Sequence, residues 1–242
     1  MIELENRNET KRQVWLFERR ADLAWESGKG LLLQSVSRWT QRQQNQIRLK
    51  IGKSHQIDTR KLKKRELKYI EQEISIQSSL CHKNIIGLYA KIIEGPIIHL
   101  ILEYASNGSL FEYMHKHRKL SDEQISFVFK EICESISYIH SFDILHRDIK
   151  LENILFDGDY HIKLADFGFA CMIKSPEKRT TVCGTREYFA PEIYTNKKQN
   201  LKLDIWCLGI ILYELCHNRT PFNVTQKDFK EADKELRSLR YR

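Results

Sequence analysis

No apolar run in this sequence reaches membrane-spanning length. The longest, around Ile205–Leu212, is far short of the roughly 20 residues that a spanning helix needs. The chain also starts without a basic-then-apolar signal segment. Its cysteines (81, 133, 171, 183, 207 and 216) form no C-x-x-C pair and have no histidines at ligand spacing. A zinc site and a disulfide framework are both unexpected, and a reducing compartment is the default. There is no internal repeat and no long low-complexity tract. These absences predict a soluble, cytoplasmic protein.

What is present suffices for a core. Of 242 residues, 41% are hydrophobic and 30% charged, and the formal net charge is +8. The length accommodates one large domain or two lobes. A positive balance can signal nucleic acid or acidic lipid. Here the basic residues are dispersed, and the densest run, Arg60–Lys68, is broken by Leu62, Glu66 and Leu67. A solvated face fits that pattern better. Neither nucleic acid nor a membrane is expected as a partner, and the oligomeric state stays open.

The most informative stretch is His146-Arg147-Asp148-Ile149-Lys150-Leu151-Glu152-Asn153-Ile154-Leu155. Apolar residues alternate with polar ones, which describes a tight polar loop pinned to a core on both sides. Its polar set is a carboxylate (Asp148), an ammonium (Lys150) and an amide (Asn153). Phosphoryl transfer needs those three types together. A carboxylate accepts the hydroxyl proton, a cation steadies the transferring group, and a carbonyl oxygen ligates Mg²⁺. Asp166-Phe167-Gly168 follows eighteen residues after Asp148, and Ala190-Pro191-Glu192 follows that. In this order the chain resembles a eukaryotic protein kinase of the serine/threonine type, similar to the Aurora, cyclic-AMP-dependent and calmodulin-dependent kinases.

The resemblance implies an α+β, bilobal fold with a small β-rich N-lobe and a mainly helical C-lobe. It places a divergent N-terminal region at 1–52, the N-lobe at 53–105 and the C-lobe at 106–242, incomplete after the F-helix region. It implies ATP and Mg²⁺ as cofactors and a protein substrate with a Ser/Thr acceptor. By position, Asp148 is the catalytic base, Lys150 steadies the phosphoryl group, and Asn153 and Asp166 hold the metal. Glu103 and Ala105 match the hinge that meets adenine, with Leu102 behind it. Glu73 matches the glutamate that pairs with the ATP-contacting lysine. Thr181, within Thr180-Thr181-Val182-Cys183-Gly184-Thr185, matches a threonine that such kinases phosphorylate, with Arg147 as its phosphate partner. Cys171 stands where a second basic partner is common, and Arg65 or Lys68 is the candidate to compensate. Thr185 with Lys150 implies serine/threonine rather than tyrosine acceptors. Glu152 implies a basic residue near the acceptor. The family's arginine partner for Glu192 is not expected within residues 1–242.

The N-terminal end departs from the family pattern. Gly28-Lys29-Gly30 offers two glycines of a phosphate loop, with Leu33 where a third would stand, and reads equally as a helix stop followed by a turn. His55 falls where the ATP-contacting lysine is expected. Lys53, two residues away and so on the same strand face, is the better substitute, ahead of Lys50. These departures keep a second reading open: a pseudokinase or scaffold that binds a partner without phosphoryl transfer.

Periodicity predicts the remaining elements. A helix is expected over Glu9–Glu26, with Val14, Phe17, Ala21 and Ala24 on one face and a stop at Gly28, then a strand over 31–36 and a loop over 41–46. The end of a strand at Gln56 leads to a helix over 61–80. Strands over 88–93 and 97–102 are split by Glu94-Gly95-Pro96. Ser121 caps a long helix that buries Ile125, Val128, Phe129, Ile132, Ile136 and Ile139. Asp157-Gly158-Asp159 turns between short strands. Leu203–Leu215, apolar all round, reads as a buried helix, with Asp204 holding the catalytic loop by resemblance. A short charged helix carries Phe229, Ala232, Leu236 and Leu239. His82, His140 and His161 read as structural or surface residues.

Overall fold

The computed structural model describes residues 2–4, 12–16, 56–117, 119–174, 181–195, 198–224 and 227–238. By contacts the chain divides into two compact units. One comprises Met1–Lys68 with Ile86–Tyr104, the other Tyr69–Ile85 with Ala105–Arg242.

The first unit is a five-stranded antiparallel sheet of β1 (Ile2–Leu4), β2 (Arg12–Leu16), β3 (Gln56–Asp58), β4 (Leu88–Glu94) and β5 (Ile97–Leu102), in the order β1-β2-β4-β5-β3. The β4–β5 hairpin turns at Gly95, whose φ of +57° is a conformation that glycine adopts without a Cβ penalty. Alternate residues point inward: Leu88 and Ala90 on one strand and Ile98 and Leu100 on the other are buried. The register shifts between Leu88 and Ala90.

The strand at Arg12–Leu16 corrects the helix expected over Glu9–Glu26. Its backbone pairs with β1 on one side and β4 on the other. Two ladders satisfy both edges of a segment whose Val14 and Trp15 favour strands. Spacing at 3.6 residues is weak evidence over so short a run. The expected strand at 31–36 and loop at 41–46 lie outside the described residues. So do Gly28, Gly30, Lys50, Lys53 and His55.

The helix α1 (Lys64–Ser79) begins in the first unit and continues into the second. At its start Glu66 accepts from the Lys63 backbone N–H at 2.6 Å, filling one of the donors a helix leaves unpaired. Ile74, Ile76, Gln77 and Leu80 are buried.

The second unit is built on helices. α2 (Leu110–His117) and α3 (Asp122–His140) are followed by β6 (Ile144–Leu145), β7 (Ile154–Phe156), β8 (Ile162–Leu164) and β9 (Cys171–Met172). Two small antiparallel pairs form, β6 with β9 and β7 with β8. Ser121 and Gln124 make a reciprocal capping box at the start of α3. Ile125, Val128, Ile132, Ile136 and Ile139 line its buried face, with Phe129 partly buried against them. Glu131, also buried there, accepts from Ile162 N–H at 2.9 Å and sits 2.7 Å from His161 Nδ1. A polar pair inside the helix face thereby fixes the β8 backbone.

α4 (Pro191–Tyr194), α5 (Lys202–His217) and α6 (Phe229–Arg237) complete the unit. α5 buries Leu203, Asp204, Cys207, Leu208, Ile210, Ile211 and Leu215. It is not buried all round as its sequence suggested: Ile205 is 53% exposed and Leu212 38%. Asn218 ends it at φ +57°, the left-handed cap that asparagine tolerates. α6 opens with an Asp228–Glu231 capping box and buries Ala232 and Leu236, while Phe229 is 40% exposed.

Candidate active site

The loop from His146 is held by one carboxylate. Asp204, fully buried in the first turn of α5, accepts from His146 N–H at 2.9 Å and from Arg147 N–H at 3.0 Å. His140 Nε2 at the end of α3 lies 2.8 Å from the same carboxylate. Arg147 adopts φ +72°, a conformation that costs an L-residue about 1–2 kcal/mol. The charged acceptor offsets that cost. Leu145 and Ile149, both fully buried, anchor the loop on either side.

The polar side chains converge inside that frame. Asp148 is 5% exposed. Its Oδ1 accepts from Thr185 Oγ1 at 2.9 Å, and its Oδ2 from Asn153 Nδ2 at 3.0 Å. Lys150 Nζ stands 3.2 Å from Asp148 Oδ2 and donates to Thr185 Oγ1 at 2.8 Å. The Thr185 hydroxyl therefore takes a hydrogen bond from the ammonium and passes one to the carboxylate. Gly184 brings Thr185 there. Its φ is +97°, and a Cβ added to it would lie 2.5 Å from the Arg147 carbonyl oxygen.

Asn153 ends a short 3-10 turn, Leu151–Asn153. Its amide nitrogen is committed to Asp148, to the carbonyl at 2.9 Å and to the side chain. That commitment orients the amide, so its oxygen is the end available to a cation. Ala165 N–H donates to Asn153 O at 2.9 Å, which sets Asp166 beside it. Asp166 is exposed, at φ +63°, and its Oδ1 accepts from Gly168 N–H at 3.2 Å. Glu73 of α1 faces the same place. Burial, with Asp166 adding, pushes its carboxyl up to about 7. The Asn153 amide oxygen and the Asp166 carboxylate are hard oxygen donors of the kind that suits Mg²⁺ completed by phosphates and water.

His146 sits behind the loop, fully buried, with burial holding its pKa below the ordinary value. Its Nε2 is 3.2 Å from Ala165 O, so that nitrogen carries the proton, and Nδ1 accepts from Asp148 N–H at 3.4 Å. The ring meets buried Phe167 edge-on at 4.9 Å.

A family model described as the protein kinase domain matches residues 30–241. The chain belongs to the protein kinase family. It is 38% identical over 173 residues to an Aurora kinase of Encephalitozoon cuniculi, covering 71% of this chain and 63% of that relative. It is 41% identical over 178 residues to an Aurora kinase of Schizosaccharomyces pombe, covering 71% and 50%. It is 37% identical over 157 residues to the serine/threonine-protein kinase PLK4 of Drosophila grimshawi, covering 64% and 21%. The chain thus spans between 21% and 63% of the length of these relatives. The bilobal α+β fold of a protein kinase accounts for its small sheet and its helices.

Of the kinase positions read from sequence, Asp148, Lys150, Asn153 and Asp166 lie together. Glu73 stands beside Asp166. Lys53 lies outside the described residues. Glu103 donates its N–H to Gly87 O at 2.7 Å and accepts from Gly87 N–H at 3.0 Å, and Ala105 is buried. Thr181 is half-buried. Glu192 is also half-buried. His140 carries no sequence signal for its contact with Asp204.

Glu214 was missed, although a carboxylate inside the apolar run of α5 is itself a signal. Tyr188 donates its hydroxyl to it. Burial pushes Glu214 up to about 7, against the Tyr188 hydrogen bond and with Glu152 and Glu187 adding. Among the described residues, no helix is long and apolar enough to cross a membrane.

Proposed function

We propose that this chain is a serine/threonine protein kinase that transfers the γ-phosphate of ATP to a hydroxyl of a protein substrate. The observation that carries the reading is the Asp148–Thr185–Lys150 hydrogen-bonded set. The acceptor oxygen attacks the γ-phosphorus while the bond to the β–γ bridging oxygen breaks and ADP leaves. The acceptor proton goes to Asp148, and Lys150 offsets charge on the transferring oxygens. Asn153 and Asp166 would hold Mg²⁺, which neutralises phosphate charge when bound. Glu73, Glu103 and Ala105 are assigned to ATP by their place in the family pattern, and Lys53 as the substitute for the lysine whose place His55 takes.

The substrate class we favour carries a basic residue near the acceptor. Burial is the main cause that raises the pKa of Glu214, and Glu152 and Glu187 add to it; a substrate cation would relieve the part due to those two carboxylates. Glu214 also lines a pocket of about 490 Å³ with Phe111, Met114, His115, Leu151 and Asn218. Its lining is mainly polar, with the Glu214 carboxyl as the group that would meet a basic side chain. Thr181 is assigned as a regulatory phosphorylation site.

The test is transfer from Mg·ATP to a basic peptide and to its neutral counterpart. The wild type is expected to transfer, with preference for the basic peptide. Asp148→Asn is expected to lose roughly 10²–10⁴-fold in rate, the worth of general-base catalysis. ATP binding without transfer would favour the pseudokinase instead.

A further inference from the structure

A buried carboxamide joins the catalytic loop to the segment that carries Thr181. Gln199, between α4 and α5, is 2% exposed. Its Nε2 donates to the Thr181 carbonyl at 2.9 Å, and its Oε1 accepts from Arg147 Nη1 at 3.5 Å. The amide orientation follows from its partners, since a carbonyl accepts and a guanidinium donates. Arg147, 6% exposed, donates Nε to the Phe169 carbonyl at 2.7 Å. Its guanidinium is therefore oriented from two sides. One side chain touches both this cation and the backbone of Thr181.

We propose that Gln199 is the positioning residue that holds Thr181 in register with Arg147, so that a phosphate on Thr181 meets the guanidinium with neither group reordered. The proposal rests on reading Thr181 as a phosphorylation site. The chemistry is specific to a group that both donates and accepts. An amide does so, and so does a neutral imidazole. Methionine, of similar length, does neither. Glutamate accepts from Arg147, gives Thr181 O no donor, and adds a negative charge that competes with phosphate for the guanidinium.

The experiment compares the full chain with and without genetically encoded phosphothreonine at 181, in the wild type and in Gln199→Met, Gln199→Glu and Gln199→His. The quantity read is the ratio of kcat/KM between phosphorylated and unphosphorylated forms. It is expected to fall at least tenfold in the Met and Glu variants and to recover in Gln199→His. Amide hydrogen exchange across 181–185 is expected to quicken in Gln199→Met whether or not phosphate is present.

A ratio unchanged in the Met and Glu variants overturns the proposal, as does a loss shared equally by both forms. A wild type that phosphate does not stimulate sinks the reading of Thr181 itself. The tether is then judged by exchange alone, with lost protection in Gln199→Met upholding it and unchanged protection overturning it.

Discussion

The Thr185 hydroxyl donates to the Asp148 carboxylate at 2.9 Å while it accepts from the Lys150 ammonium at 2.8 Å. A hydroxyl in that place fixes the separation of the two charged groups. Thr185→Ser keeps the oxygen and is expected to retain most activity. Thr185→Val keeps the shape and removes the oxygen. It is expected to slow transfer by about 10²-fold, the usual cost of misplacing reacting groups by about an ångström. Steady-state kinetics on both variants decide it, and a Val variant as fast as wild type would refute the positioning role.

Asp204 is expected to matter for folding as much as for rate. Asp204→Ala strands the N–H groups of His146 and Arg147 and the His140 ring without their acceptor. The two buried N–H donors cost about 1–3 kcal/mol each when unsatisfied, so a loss on the order of 2–6 kcal/mol is expected in urea denaturation, the part-exposed His140 ring being open to water. A loss below about 1 kcal/mol would show that water replaces the carboxylate.

Glu214 sets a pH dependence. Burial raises its carboxyl from the ordinary 4.5 to about 7. Between those values the folded chain holds a proton that the unfolded chain has released. Its contribution to stability is therefore full below about pH 4.5 and lost as pH rises through 7. Glu214→Gln keeps an acceptor for Tyr188 and removes the titration. It is expected to flatten the stability profile across that window and to be the more stable protein at pH 8, by up to about 3 kcal/mol. Thermal unfolding between pH 5 and 8 measures it, and parallel profiles would contradict the assignment.

Gly184→Ala tests how closely the Thr185 segment approaches the catalytic loop. The added methyl would lie 2.5 Å from the Arg147 carbonyl oxygen, and the φ of +97° is unsuited to an L side chain. Transfer is expected to fall at least tenfold, with a stability loss of about 1–3 kcal/mol. Wild-type kinetics in this variant would mean that the segment moves aside at no cost.

The parts legible in the sequence were those whose neighbours in space are neighbours in the chain. Asp148, Lys150 and Asn153 sit within one turn of backbone, and Asp166 follows along the β7–β8 hairpin. The strand over Arg12–Leu16 was hidden because its pairing partner, Leu88–Glu94, is more than seventy residues away, while a helical spacing of Val14, Phe17, Ala21 and Ala24 was visible at once. Long-range pairing overrode local periodicity. The His140–Asp204 contact, 64 residues apart, left no trace at either position. α5 was read as apolar on every side, since apart from Asp204 and Glu214 the run Leu203–Leu215 carries no charge. Only packing decides that Ile205 and Leu212 face outward.

Asp204 grips main-chain amides of the loop rather than the reactive side chains. Form and reactivity are thus assigned to different residues, one in α5 and the others at 148–153. Exchange of Asp148 for an uncharged isostere is expected to silence the chemistry, while the Asp204 contacts to the His146 and Arg147 amides do not involve it. On the proposed roles, an inert copy of this domain would be one codon away, with its loop still held in shape.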